Sequence, residues 1–340
     1  MNNKNQGISP MRVSRVLPAA LILFAALMLA VLMPLRLWQQ LHLVEQGTGF
    51  WAGGGPTIPL LYACLGVLVA VPAVVSFAQR KRAALDLTRK RRVVEGVVAV
   101  LAVAALVWDA IMAFRFALQL FSEMGGGAFL DSLEARSSNP MRAALVYYIR
   151  SGAMACVLES VCGMLSALFF GQLAAQDFLP RKKIYVGPAL ALAPFAWAVC
   201  RILRRFSRTI AYLRVSDLFL GLAMIVALML FLLAFAQCVS GRNSGYKAAV
   251  LPAAGIPAAV LALLCFVPRL VAYGFLGYTA PQDALIEWCD PAMAALVLVF
   301  VAGRLFTGPP REKAQEDELE DELEDEEDEN EEEPVDEQDG

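Results

Sequence analysis

A single histidine, His42, stands in the whole chain of 340 residues. Chemistry that needs a histidine with partners, whether a His-rich metal site or a histidine acid-base pair, is excluded at the outset. Cysteine is present but unpaired in pattern. The seven cysteines, at 64, 156, 162, 200, 238, 265 and 289, form no CxxC motif, and they read as small hydrophobes within apolar segments. A nucleophile elbow, a phosphate-binding glycine loop and a paired-carboxylate motif are also missing, so the sequence predicts neither an enzyme nor a cofactor. The strongly basic loop between residues 80 and 92 carries no interleaved aromatics, which argues against a nucleic-acid partner.

What the chain has in excess is apolar surface. Hydrophobic residues make up 58% of it, far outside the balance of a soluble domain. The expectation is an all-α polytopic membrane protein with about eight transmembrane helices. The net charge of -3 hides a division of sign. Residues 311 to 340 hold 19 acids against Arg311 and Lys313, whereas residues 1 to 310 hold 27 Lys and Arg against 13 acids, so the body carries +14 and the tail -17. Three parts follow: a cytoplasmic segment over 1–15, a transmembrane helical domain over 16–310, and an acidic tail over 311–340. Without apolar periodicity the tail is expected to be disordered.

Lys4, Arg12 and Arg15 precede an uncharged run from Val16 to Leu35, read as a first span that starts in the cytoplasm. The segment Gly47 to Thr57 is rich in turn residues, and its Phe50 and Trp51 suit the membrane-water boundary. The second span, Thr57 to Ala78, leads into Arg80, Lys81, Arg82, Arg89, Lys90, Arg91 and Arg92. These charges place that loop in the cytoplasm, against anionic lipid headgroups. Val93 to Leu118 forms the third span and carries Asp109 and Arg115. After a Gly- and Ser-rich connector, Asn139-Pro140 has the form of a cap and a first helical position. Ala143 to Ala175 is then one long or tilted helix containing Arg150 and Glu159. The fifth span, Ile184 to Ile202, is interrupted by Pro188 and Pro194. Ser216 or Asp217 caps the sixth, Leu218 to Cys238. The seventh, Ala248 to Ala272, holds Pro252, Pro257 and Pro268, with Arg269 near its end. Asp290-Pro291 opens the eighth, which ends near Phe306. Only 13 uncharged residues separate Asp290 from Arg304, so one or both are expected to sit at the interface or to snorkel.

Arg201, Arg204, Arg205 and Arg208 are spaced i, i+3, i+4 and i+7, which places them on one helical face. Eight spans with a cytoplasmic N-terminus put 18 basic residues inside and 8 outside, and the stripe is then outside. A re-entrant fifth segment and seven spans give the same 18 and 8 with the stripe indoors, so charge does not separate the two. Eight spans, with both termini cytoplasmic, are preferred because Ile184 to Ile202 is long enough to cross and a re-entrant backbone needs protein cover.

In that arrangement Asp109, Arg115, Arg150, Glu159, Arg201, Asp217, Arg269 and Asp290 all fall in the outer halves or outer ends of their helices. Asp109, Arg115, Arg150, Glu159 and Arg269 form a candidate polar vestibule, because ionisable groups at membrane depth face a protein interior or a watery cavity. The plainer alternative is that they pair, Asp109 with an arginine or Glu159 with Arg269, and lock helices together. The stripe of Arg201, Arg204, Arg205 and Arg208 is a candidate contact for a small anion or for lipid phosphate. Two function classes follow. One is a transporter or solute-binding protein that accepts a small anionic solute. The other is a membrane scaffold or sensor subunit that binds a cytoplasmic protein partner through its basic loop or acidic tail.

The stretches TGFW (Thr48 to Trp51), PFAWAVCRILRRF (Pro194 to Phe206) and VSDLFLGLAMIVALMLFLLAFA (Val215 to Ala236) resemble uncharacterised multi-span inner-membrane proteins of Gram-positive anaerobic bacteria. The resemblance implies a bacterial cell-membrane location and about eight helices. It implies no activity and transfers no catalytic residue.

Overall fold

Long uncharged runs have one stable form in lipid, because a helix satisfies its own backbone donors and acceptors where no water can. A computed structural model describes residues 16–45, 51–53, 55–80, 83–85, 93–124, 142, 149, 152–178, 187–207, 215–240, 245–278 and 286–307. The expectations for the N-terminal segment 1–15, most of the basic loop, the connector before residue 142 and the acidic tail lie outside the described residues. Among the described residues, eight helices have 15 residues or more. They are α1 (Val16–His42), α2 (Thr57–Ala78), α3 (Val93–Met124), α4 (Ala153–Phe178), α5 (Ala193–Ser207), α6 (Val215–Val239), α7 (Gly245–Arg269) and α8 (Cys289–Arg304). Six of them, all but α5 and α8, are long and apolar enough to cross a membrane. The chain is accordingly an integral membrane protein by the length and composition of its helices.

The inward and outward faces are both apolar, as a lipid-facing bundle requires. On α1, Leu17, Leu21, Ala25, Met28 and Leu32 turn inward at steps of three and four, while Leu23, Leu27 and Val31 stay exposed. On α3 the inward stripe is small: Ala99, Ala102, Ala110, Ala113 and Ala117 are buried with Leu106. That lets α4 pack closely along α3, the most extensive helix contact in the bundle. The central helix is α7, buried from Ala249 to Phe266 apart from three half-buried positions, with α1, α2, α6 and α8 around it. Gly255 is what admits two of those neighbours. A Cβ there would meet Phe231 of α6 and Val297 of α8 at 2.9 Å. Phe169, Phe170, Phe231, Phe235 and Phe300 interlock α4, α6 and α8, with centroids between 4.8 and 6.4 Å apart.

Several boundaries differ from the sequence reading. Beyond Leu35, α1 continues to His42, and its polar last turns are tied down: Gln39 donates to the Thr57 carbonyl at 2.8 Å, and Gln40 donates to the Tyr273 hydroxyl at 3.1 Å. Arg36 is buried over the Trp51 ring, so this tryptophan packs on the protein at least as much as on the interface. After α7 the chain makes a π-helical turn, Leu270–Phe275. Ser216 and Asp217 fall inside the first turn of α6 rather than ahead of it. The largest change is in the fifth segment. Pro188 and Pro194 split it into a single turn, Pro188–Ala191, and the 15-residue α5. At ~1.5 Å per residue α5 is ~22 Å long and α8 ~24 Å, against a hydrocarbon thickness of ~30 Å.

Chain direction sorts the helix ends into two sets. At one end, Arg304 of α8 is paired with Glu95 of α3 at 2.6 Å, and a short antiparallel ladder joins β1 (Ala83–Leu85) to β2 (Leu305–Thr307). At the other end lie the C-terminus of α5 and the N-termini of α4, α6 and α8. Arg304 and Asp290 are both buried. Both have internal partners, Arg304 in Glu95 and Asp290 in Arg201.

Candidate functional site

The second end holds a cluster of charge. In α5, residues that repeat every three or four positions carry Trp197, Arg201, Arg204 and Arg205 along one side of the helix. That side faces inward. Arg201 is 0% exposed, Arg204 is buried and Arg205 is half-buried. The helix lies antiparallel to α4, since Trp197 sits against Gly163 while Arg204 reaches back to Glu159. Gly163 is a requirement of that packing: a Cβ there would press Ala110 of α3 at 3.3 Å and the Trp197 ring at 3.4 Å. Cys200 and Cys162, with sulfurs 3.8 Å apart, lie at the same level. All seven cysteines are free thiols.

The arginines converge on one carboxylate. Glu287, on the short segment before α8, accepts from Arg204 Nη2 through Oε1 at 2.8 Å and from Arg205 Nη2 through Oε2 at 2.8 Å, and the same Oε2 meets Arg201. Arg201 also pairs with Asp290 Oδ1 at 2.7 Å, and its guanidinium lies over the Trp197 ring, 5.2 Å from the centroid. Asp290 is therefore no cap for α8, whose N-cap position is Trp288. Arg204 Nε stands 2.9 Å from Glu159 Oε2. This contact is ionic rather than directional, because neither oxygen of Glu159 receives a donor in hydrogen-bond geometry. Asp109 is buried midway along α3, within the field of Arg201 and Arg204.

Electrostatics single out Glu287. Burial pushes its carboxyl up, but the guanidiniums of Arg201, Arg205 and Arg204, with Arg269 adding to them, outweigh burial and hold it well below the usual carboxylate range. It is the permanently ionised acid of the cluster at neutral pH. Counting every group as charged, Arg201, Arg204, Arg205 and Arg269 balance Asp109, Glu159, Glu287 and Asp290.

The placement of the expected residues is mixed. Asp109, Glu159 and Arg269 stand in or beside the cluster, but Arg115 is exposed on α3 and does not join it. Arg150, Arg208 and the side chain of Asp217 lie outside the described residues. Arg201, Arg204 and Arg205 turn toward protein carboxylates rather than outward to lipid phosphate, because a buried guanidinium needs a nearby anion and three helices supply them. The sequence reading did not single out Glu287. Its signal was available: an acid three residues before Asp290, next to a long apolar run and within reach of arginines that had no assigned partners.

The cluster is well supplied with ions but not saturated. Asp109 and the Trp197 indole face each other, and among the described residues no hydrogen-bond partner reaches Glu159 Oε1 or Nε and Nη1 of Arg201. Buried polar atoms without a partner are exceptions in a folded protein, and a bound polar group would satisfy them. Among the described residues, no group of three His, Cys, Asp or Glu side chains is placed to hold a metal ion. Comparison of the chain with protein-family models, with curated proteins and with solved structures gives no match. What the cluster does must be read from its own chemistry.

Proposed function

We propose that the protein is a multi-pass transporter or solute-binding protein of the bacterial cell membrane. It has eight crossings, two of them short, and the arginine end accepts a small oxyanion. One observation carries the reading: three guanidiniums on a rigid helix converge on a single carboxylate that belongs to no long span. Convergent guanidiniums are the geometry of carboxylate and phosphate recognition. With both termini cytoplasmic, this end faces outward, and the site is a vestibule rather than a catalytic centre. The long helices around it supply the dry walls that make such contacts strong.

Uptake into proteoliposomes tests the reading. The full-length protein should take up labelled phosphate or acetate above protein-free vesicles, and Arg204→Gln should abolish the difference. Absence of protein-dependent uptake of either anion would remove transport from the proposal.

A second reading, a scaffold that binds a cytoplasmic protein, is favoured by the β1–β2 ladder. It brings the chain beside Ala83 and the chain after Thr307 together at the opposite end, so the basic loop and the acidic tail start from one place. Removing residues 312–340 should leave oxyanion uptake unchanged if transport is the function; a full-length protein that takes up neither anion but holds a cytoplasmic protein, and releases it on that deletion, would favour the second reading.

A further inference from the structure

We propose that Glu287 is a built-in stand-in for the ligand, and that the ligand which displaces it is phosphate bearing a P–OH group, either free phosphate or a phosphate monoester. The inference rests on the oxyanion reading above and names its substrate class.

Glu287 is held by its ion pairs with the three arginines, and its carbonyl accepts from the Asp290 N–H at 3.2 Å. It lies outside the helices, two residues before Cys289, beside Trp288, which is 51% exposed and touches Phe266 edge-on with centroids 5.2 Å apart. The arginines that hold it are carried on α5, and the side chain of Glu287 keeps 10% exposure. Withdrawing Glu287 from a balanced set of four cations and four acids leaves the site at +1, and more positive if any remaining acid holds a proton. One phosphate monoanion restores neutrality.

The unused atoms specify the anion further. A glutamate carboxylate offers two oxygens, and both are already engaged, yet among the described residues no acceptor reaches Nε and Nη1 of the fully buried Arg201. A tetrahedral oxyanion carries additional oxygens for them. The site is also rich in acceptors: Arg204 holds Glu159 with Nε and Glu287 with Nη2, and Arg201 bridges Glu287 to Asp290. Any anion in the place of Glu287 therefore lies next to Glu159 and Asp290. Sulfate would set bare oxygens against those carboxylates, whereas a P–OH donates to them. Mixed arginine and acid walls thus select a protonated phosphate and reject an unprotonated oxyanion of the same shape.

The competing carboxylate lowers apparent affinity by the fraction of time that it occupies the site. Binding is measured on the full-length protein in neutral-lipid nanodiscs, by thermal shift and by tryptophan fluorescence, with inorganic phosphate, sulfate and acetate as probes. In the wild type, phosphate should change the fluorescence saturably, and Trp288→Phe should remove that change while the thermal shift remains. Glu287→Gln should bind phosphate about tenfold more tightly or better, and Arg204→Gln should not bind it. Glu287→Asp, which keeps the charge, serves if the glutamine variant does not fold; its shorter reach should also tighten phosphate. Equal affinity in wild type and both Glu287 variants would overturn the stand-in and leave the oxyanion site standing. Sulfate matching phosphate would overturn the P–OH requirement. A fluorescence change caused only by phosphatidylglycerol, a phosphodiester, would assign the site to lipid and overturn the proposal. No binding of any probe to any variant would remove the oxyanion reading as well.

Discussion

Glu159 illustrates what a single residue is worth at this depth. It is fully buried near the start of α4, and it pairs with the Arg204 guanidinium. An unpaired acid or arginine near a helix centre is unfavourable by ~2.5 to 3.5 kcal/mol on insertion scales, and stripping one partner from a buried pair costs about 3 to 5 kcal/mol. Arg204→Gln should therefore destabilise the detergent-solubilised protein by that order, and the double variant with Glu159→Gln should recover part of the loss. Thermal or denaturant unfolding of the four proteins checks this; strictly additive losses would mean that the pair is not coupled. Glu287 carries a prediction about pH. Its carboxyl is held below the ordinary value of 4.5 by the arginines, so the folded state binds fewer protons than the unfolded state there. The stability it contributes is fully present above 4.5 and is lost as pH falls below that value toward its depressed value. The stability gap between wild type and Glu287→Gln should be flat near neutral pH and shrink as the medium is acidified. A gap that widened on acidification would contradict the arginine contacts.

At the scale of elements, the short helices make the site. Along α5 the arginines fall beside Glu159 of α4 and Asp290 of α8. Asp290 stands in the first turn of α8, facing Arg201 instead of water. Helix contact in lipid depends on fit, since tails are as apolar as side chains and burial against them gains nothing. Gly255 is where that fit is tightest. Gly255→Leu should separate α7 from Phe231 and Val297 and lower the unfolding temperature, because overpacking a close contact costs about 1 to 3 kcal/mol. The same change at Gly66, whose Cβ would meet nothing within 4 Å, should have little effect. Comparable losses at both positions would show that α7 does not sit as closely against α6 and α8 as Gly255 suggests.

For the molecule as a whole, α5 runs antiparallel to α4 and leads into α6, so the chain changes ends at the short helix as it does at the long ones. That favours the even count and a C-terminus on the same side as the N-terminus. A fluorescent reporter fused after Gly340 should light up in the cytoplasm, whereas an extracytoplasmic phosphatase fused there should be silent. The reverse result would place the arginine end indoors, and the anion would then be met from the cytoplasm. Hydrophobic run length and charge flanks determined by themselves that the chain forms membrane helices and roughly where each begins, because lipid leaves a backbone no alternative to internal hydrogen bonds. Asp109, Glu159 and the stripe could be singled out for the same reason: charge is rare and costly there. Their partners could not be read, since Glu287 lies 82 to 86 residues from the arginines it joins. Only tertiary structure decided that meeting. It depends on how far each helix is rotated and where the prolines end it, and a run of apolar residues records neither.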